Sequence, residues 1–308
     1  LQLAPGMHII DGTLGDAGHS QEILKVILPG GKLLGIDADA EAILRAKQFL
    51  YEYKDNIVFA RDNFEHVKKI VAQESFEPVD GILLDLGWST PQFEERQRGF
   101  SFQNKDEVLD MRYDTQLECS HTAAESPLSV DGRPLYGRCT AAEIVNSAEE
   151  EKLKEIFDNY GEEKLGKEIA AAIVAYRETY TVETVGDLVE IVLAVYRKKL
   201  KSEKEVPWVG GLHPATKVFQ ALRIAVNNEL GVVERVLPEA IELLAPGGRL
   251  SVISFHSLED RIVKHFFKKE AEKKRIKIIT KKPVVCSEEE YKENPRARSA
   301  KLRTIEKI

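Results

Sequence analysis

The sequence predicts an α/β chain in which a parallel sheet is interrupted, between its fourth and fifth strands, by an all-helical domain. Three observations carry this expectation. Over roughly the first hundred residues, short apolar runs alternate with helix-period segments, the rhythm of strands joined by crossover helices. That rhythm then stops, and residues 140–200 show only the helical period. An apolar strand returns directly after Pro246-Gly247-Gly248.

The elements follow in order. Met7 to Ile10 reads as strand one and leads through a glycine-rich turn into a helix carrying Ile23, Leu24, Ile27 and Leu28. Lys32 to Ile36 is strand two. Asp39 stands where an N-cap belongs, ahead of Ala42, Ile43, Ala46, Phe49 and Leu50 at helical spacing. Ile57 to Ala60 is strand three, and Gly81 to Leu84, entered from Val79-Asp80, is strand four. From Asp114 to about Arg138 the chain is polar and without period, which predicts a long exposed loop. Thr140 caps a helix from Ala141 to Asn146; Ile169, Ile173 and Val174 form one apolar stripe, and Val185 to Leu200 supplies another. One long segment, Ala215 to Leu244, leads to strand five, Arg249 to Phe255. A helix from Leu258 to Lys274 and strands at Ile276 to Thr280 and Leu302 to Glu306 complete the chain. The expected division is 1–113 and 213–308 for the sheet domain and 114–212 for the loop and helical insertion.

Composition bounds what this architecture does. The chain has 308 residues, 43% hydrophobic and 31% charged, enough for roughly two domains of ~150 residues and incompatible with disorder throughout. No run approaches the ~20 apolar residues of a membrane span, and Leu1-Gln2-Leu3-Ala4-Pro5-Gly6 lacks the basic and apolar regions of a secretory signal. The expectation is a cytoplasmic protein with no membrane association. Cys119, Cys139 and Cys286 have no ligand spacing, so neither a disulfide framework nor a zinc site is expected. The net charge of -7 argues against non-specific coating of nucleic acid, but it is uneven. Arg261 to Ile308 holds 16 Lys or Arg against 7 Asp or Glu, a basic end on an acidic body that suits a localised polyanion contact.

Strand one ends in Asp11-Gly12-Thr13-Leu14-Gly15-Asp16-Ala17-Gly18-His19-Ser20. Its glycines let the backbone turn tightly and approach a ligand at the mouth of a parallel sheet. The spacing is not that of a dinucleotide fingerprint, and Asp11 and Asp16 would repel a pyrophosphate, so a cationic cofactor suits the turn better. Asp37, ending strand two, is placed to accept hydrogen bonds from both hydroxyls of an adenosine ribose. Asp62-Asn63-Phe64 follows strand three, where Phe64 fits an adenine ring or the core equally well. Asp85 directly follows the apolar run Gly81 to Leu84, a costly place for a carboxylate without a partner. It opens the polar stretch Asp85-Leu86-Gly87-Trp88-Ser89-Thr90-Pro91-Gln92. Together with Leu243-Leu244-Ala245-Pro246-Gly247-Gly248 before strand five, this is the pattern of S-adenosylmethionine methyltransferases, whose sulfonium explains the acidity.

At these residues the chain resembles the MraW family, also called RsmH, of bacterial small-subunit ribosomal RNA cytosine-N4 methyltransferases. The turn Asp11–Ser20, Gly35-Ile36-Asp37 and Asp85–Gln92 carry the resemblance, with Arg98-Gly99-Phe100-Ser101-Phe102 and Leu109-Asp110-Met111-Arg112. Further matches are Phe219-Gln220-Ala221-Leu222-Arg223, Ser254 to Lys264, and Asn294-Pro295-Arg296-Ala297-Arg298-Ser299. It spans nearly the whole chain except roughly 114–138.

The resemblance implies a Rossmann-like class I methyltransferase sheet, a helical RNA-recognition domain inserted into it, and S-adenosyl-L-methionine as cofactor. It implies 16S ribosomal RNA, within the small ribosomal subunit, as partner, and leaves a homodimer open. The implied cofactor contacts are Ala17, Gly18, His19, Asp37, Phe64, Asp85 and Gln92. Ala17 stands where the family usually has glycine, and Trp88 and Thr90 replace the usual Val and Ser.

Cytosine N4 is a poor nucleophile, so it must be aligned with the methyl donor and offered proton acceptors. Asp85, with the carbonyls around Gly87 to Ser89, is the first choice to orient the amine, and Ser89, His256 and Asp110 join it as catalytic candidates. Trp88 is a stacking face for an extruded base or a packing residue, and Arg112 pairs with Asp110 at the rim or forms an ordinary salt bridge. Lys264, Lys268, Lys269, Arg296, Arg298 and Lys301 are expected on RNA phosphate, with Tyr176 and Tyr196 as aromatic contacts. A nicotinamide dehydrogenase is disfavoured by the acidic turn. A ribosome-assembly factor that binds S-adenosylmethionine without catalysis is the alternative, kept open by Ala17 and Trp88.

Overall fold

A computed structural model describes residues 1–87, 97–113, 139–201 and 212–308. The chain divides into two compact units, Leu1–Ser89 with Leu230–Ile308, and Thr90–Glu229.

The first unit is built on a sheet of order β3-β2-β1-β4-β5-β8-β6, with β7 (Val284–Val285) also paired to β8. Strands β1 (His8–Asp11), β2 (Lys32–Asp37), β3 (Ile57–Arg61), β4 (Val79–Asp85) and β5 (Leu244–Ser254) are mutually parallel. β8 (Lys301–Lys307) runs antiparallel to β5 and to β6 (Ile276–Ile278). The two-residue period of the strands sorts their side chains to two cores. Ile9, Leu33 and Leu83 face one way, with Ile23, Leu24 and Ile27 of α1 (Gly18–Ile27) and Ile43 and Ala46 of α2 (Ala40–Phe49). Ile10, Leu34 and Ile82 face the other, joined by Val67 and Ile70 of α3 (Val67–Glu74). Asp39 caps α2, accepting from the Glu41 amide. β5 is longer than expected because Val79 pairs with Leu244 and Gly81 with Arg249, so Pro246-Gly247-Gly248 is absorbed as an irregularity within the strand.

The second unit is helical. α4 (Ala141–Ser147) begins with a capping box between Thr140 and Glu143, followed by α5 (Glu150–Gly161) and α6 (Gly166–Arg177). α7 (Val185–Leu200) has a second capping box, Thr184 with Asp187, and α8 (Thr216–Asn227) follows. Phe157, Ile169, Ile173, Val185, Leu188, Val192 and Leu222 are all buried here.

The unit boundaries differ from 113/114 and 212/213 for two physical reasons. Residues 97–113 bond to the helical unit: the Leu109 amide donates to the Glu183 carbonyl at 3.0 Å, and the Ala141 amide to the Asp110 carbonyl at 2.8 Å. The segment Ala215 to Leu244 is two helices, because Asn228 takes a left-handed conformation at φ 49° between α8 and α9 (Glu229–Leu243). The expected loop 114–138 lies outside the described residues. Cys139 is disulfide-bonded and Cys286 is free, which corrects the expectation of a chain without a disulfide. No helix among the described residues is long and apolar enough to cross a membrane.

Among its described residues the helical unit holds a buried ion pair. Arg223 (5% exposed) donates from Nε and Nη2 to both oxygens of Glu229 (9% exposed), at 2.7 and 2.8 Å, and the Tyr113 hydroxyl donates to the same carboxylate at 2.9 Å. Removing one partner leaves a buried charge unpaired. Glu229→Ala is expected to cost about 3–5 kcal/mol, read as a lower urea midpoint for the helical unit.

Candidate functional site

The carboxyl ends of β1, β2 and β4 gather three carboxylates, and the turn after β1 organises them. Gly12 sits where a side chain cannot: a Cβ there would meet Leu84 Cδ2 at 2.6 Å, with Phe64 Cβ at 3.5 Å. Asp11 is turned inward at 1% exposure, where its Oδ1 accepts from the Thr13 amide at 3.2 Å and its Oδ2 from the Ser20 hydroxyl at 2.7 Å. Burial pushes its carboxyl up from the ordinary range against those two bonds. Asp16 points outward and pairs with Arg45 at 3.2 Å. The acidity expected from Asp11 and Asp16 is thus spent on the protein itself, and the charge offered at the strand ends comes from Asp37 and Asp85.

Asp37 accepts from the Gly15 amide at 2.9 Å through Oδ2 and from the Asp39 amide at 2.9 Å through Oδ1. It therefore braces the first turn from the end of β2. The Asp85 amide donates to Thr13 Oγ1 at 2.7 Å, tying β4 to the same turn. Its Oδ2 lies 3.3 Å from His19 Nε2, while its Oδ1 is buried without a hydrogen-bond partner among the described residues. A buried, unpartnered carboxylate oxygen at the mouth of a parallel sheet suits a cationic or hydrogen-bond-donating ligand group. Gly18, exposed at the start of α1, has room beside it: a Cβ there would meet no heavy atom within 4 Å.

Ala17 is left-handed at φ 63° and fully buried, and it belongs to the core cluster that includes Leu14, Ile23 and Leu24. Its methyl is taken up by that packing. Phe64 is partly buried against the opposite core while standing beside Gly12, so it joins the strand ends to the interior. Asn63 caps the turn that carries it, accepting from the Glu65 amide.

His256 lies just past β5, next to β4 in the sheet, and caps α10 (Ser257–Glu272) in a capping box with Glu259. Its Nδ1 accepts from the Glu259 amide at 3.4 Å; its Nε2 is buried without a hydrogen-bond partner among the described residues, 3.2 Å from Glu259 Oε1. Asp110 and Arg112 belong to the helical unit, where Arg112 Nε and Nη2 grip the Asp110 oxygens at 2.7 and 2.9 Å. Trp88, Ser89, Thr90 and Gln92 lie outside the described residues.

Lys264, Lys268 and Lys269 are exposed on α10, and Arg296 and Arg298 are exposed before β8, Arg298 over the Tyr291 ring at 5.9 Å. Lys301 instead pairs with Asp260 at 3.4 Å, beside the tighter Arg303–Asp260 pair at 2.6 Å. Tyr176 is half-buried beside Tyr180. Tyr196 is buried, its hydroxyl donating to Glu163 at 2.9 Å, so the expectation of a nucleic-acid contact there is corrected. Thr13 and Ser20 were not singled out from sequence; the signal for both was their proximity to Asp11 in a turn that has to satisfy a buried carboxylate.

A sheet of this order, parallel except for β8, with a glycine turn after β1 and carboxylates ending β2 and β4, defines the Rossmann-like, class I methyltransferase fold. A profile of the MraW methylase family matches residues 1–131 and 134–308. The chain is 42% identical over 315 residues to Ribosomal RNA small subunit methyltransferase H of Heliobacterium modesticaldum, covering 97% of this chain and 92% of the relative. With the protein of that name from Clostridioides difficile it shares 39% over 323 residues, covering 100% and 95%. The chain belongs to the MraW methylase family. Among solved structures, an rRNA methylase from Streptococcus thermophilus aligns with a TM-score of 0.42 and 9% identity over 99% of this chain and 89% of that one.

The Asp85 hydrogen bond, and after burial opposes it the Asp85 and Asp11 charges, hold the His19 imidazolium above the usual histidine value. The pair's contribution to stability is complete below that usual value and is lost as pH rises through the elevated one. NMR titration of His19 is expected to show a raised midpoint that falls back in Asp85→Asn.

Proposed function

We propose that this chain transfers a methyl group from S-adenosyl-L-methionine to N4 of a cytidine in 16S ribosomal RNA, at the decoding centre of the small ribosomal subunit. The observation that carries the reading is the strand-end cluster, in which Asp85 Oδ1 is buried without a hydrogen-bond partner among the described residues, beside a turn braced by Asp37. Family membership gives the reaction class, and the names of the relatives give ribosomal RNA of the small subunit as the substrate class.

When bound, the cofactor supplies an electrophilic methyl on a positively charged sulfur. Asp37 would hold its ribose hydroxyls, Phe64 its adenine, and Ala17, Gly18, His19, Asp85 and Gln92 the remainder. The chain's own task is to orient a weak nucleophile, accept hydrogen bonds from its amine and take up the one proton that leaves as the N–CH3 bond forms. Asp85 Oδ1 has no competing bond among the described residues, and accepting from the N4 hydrogens would turn the nitrogen lone pair toward the donor. Ser89 and Trp88, which follow in the sequence, would give a second acceptor and a face for stacking on an extruded base. Asp110 would act through Arg112, presenting the guanidinium to RNA. His256 would offer Nε2, its Nδ1 being committed to the helix cap.

The exposed cations Lys264, Lys268, Lys269, Arg296 and Arg298 would meet phosphate, which gives affinity rather than sequence choice. The reading places the protein in the cytoplasm on an assembling small subunit, with a homodimer compatible with it.

Mass spectrometry of 16S ribosomal RNA nucleosides with and without the protein tests the reaction directly: N4-methylcytidine at one site is expected only when the protein is present. Asp37→Ala should weaken cofactor binding by about 1–3 kcal/mol through lost hydrogen bonds, measured by calorimetry; unchanged affinity would remove Asp37 from the site.

A further inference from the structure

We infer that one end of the helical unit is a separate contact for the RNA phosphate backbone, formed by Lys164, Lys167, Lys198, Lys199, Lys201 and Lys217. This rests on the reading of ribosomal RNA as substrate.

Four elements bring these lysines together. Lys164 lies in the turn after α5, Lys167 in the first turn of α6, Lys198, Lys199 and Lys201 at the end of α7, and Lys217 in the first turn of α8. The buried Tyr196 hydroxyl donates to Glu163 Oε1 at 2.9 Å, pinning the end of α7 to the turn that carries Lys164. Glu163 is only 4% exposed and also accepts from the Leu165 amide at 2.9 Å, so the brace fixes the start of α6 as well. Lys217 Nζ donates to the Glu162 carbonyl at 2.8 Å. The close approach of α8 to this corner needs Gly161, where a Cβ would meet the Lys217 carbonyl oxygen at 2.6 Å.

Helix electrostatics explain only part of this cluster. Lys198 and Lys199 in the last turn of α7 complement the negative end of its dipole. Lys164 and Lys167, at the start of α6, are at the end where a cation is disfavoured. Lys164, Lys167, Lys198, Lys199 and Lys201 are exposed and form no ion pair among the described residues. Nor is the unit basic as a whole. Residues 139–201 carry 13 Asp or Glu against 9 Lys or Arg, so five of those nine cations stand at one end of an otherwise acidic body. Free ammonium groups collected by a buried brace, against the local dipole and the overall charge, match a polyanion backbone rather than an acidic side chain or two.

Anisotropy titrations of a 16S ribosomal RNA transcript over a range of salt test this on the full chain. For Lys198→Glu with Lys199→Glu and Lys201→Glu, affinity is expected to fall at least about tenfold, and the slope of log K against log salt to flatten by about two. The corresponding triple arginine variant should bind like the parent. Calorimetric cofactor affinity reports whether each variant is folded. Should the charge-reversed chain fail that control, the three single alanine variants decide, each flattening the slope by about 0.7. Parent-like affinity and slope in folded charge-removed variants would overturn the inference and leave the methyltransferase reading standing. A parent chain with no affinity for the transcript at low salt would overturn both.

Discussion

Carboxylates stand at the carboxyl ends of three neighbouring parallel strands, Asp11 on β1, Asp37 on β2 and Asp85 on β4, and the chain has to hold these like charges close together. It does so with a different device for each. Asp11 is taken out of water and given a hydroxyl and an amide. Asp37 is bound by two backbone amides, and Asp85 faces an imidazole while its own amide is tied to Thr13. Every one of these partners comes from the turn after β1, from the opening of α1, or from the start of α2. The turn's conformation and the charge arrangement therefore fix one another: without the carboxylates its amides at Thr13 and Gly15 would lose their acceptors, and without the turn the acids would repel.

What survives this mutual satisfaction is the functional content. Of the carboxylate oxygens on Asp11, Asp37 and Asp85, Asp85 Oδ1 alone is buried without a hydrogen-bond partner among the described residues. A scaffold that satisfies its other acids and leaves one acceptor aimed at the strand ends is pre-organised for a donor or a cation, at a place where water is thinned. The helical unit shows the same economy elsewhere. Arg223, Glu229 and Tyr113 are satisfied by one another. Asn227 accepts from the Tyr113 amide at 2.9 Å and donates to the Met111 carbonyl at 2.8 Å, fixing the backbone that carries Asp110 and Arg112.

Much of the fold could be read from the sequence because its period is strong. Buried strands such as Leu33-Leu34 and Ile82-Leu83-Leu84 have no other interpretation, and Thr140 and Asp39 announce their helices chemically. The division at Asn228 was not legible, since a single left-handed residue between two apolar helices leaves no mark in the hydrophobic pattern. Nor was the attachment of residues 97–113 to the helical unit, which depends on backbone bonds with Glu183 and Ala141 that side chains do not encode. In the site, Asp37 and Asp85 were visible as carboxylates following apolar strands. The inward turn of Asp11, the role of Thr13 Oγ1 and the burial of Tyr196 were not, because each is decided by tertiary partners far along the chain or by rotamer choice. His256 was visible as a polar residue after β5, but its service as a helix cap required the geometry of Glu259.

On this reading the methyl donor is held at the ends of β1, β2 and β4. A crystal structure of the chain grown with S-adenosylhomocysteine, the spent form of that donor, tests it most directly. Density along the turn from Gly15 to His19, with the ribose on Asp37 and the amino-acid end toward Asp85, is the predicted result; ordered ligand on any other surface with this cluster unliganded would contradict it.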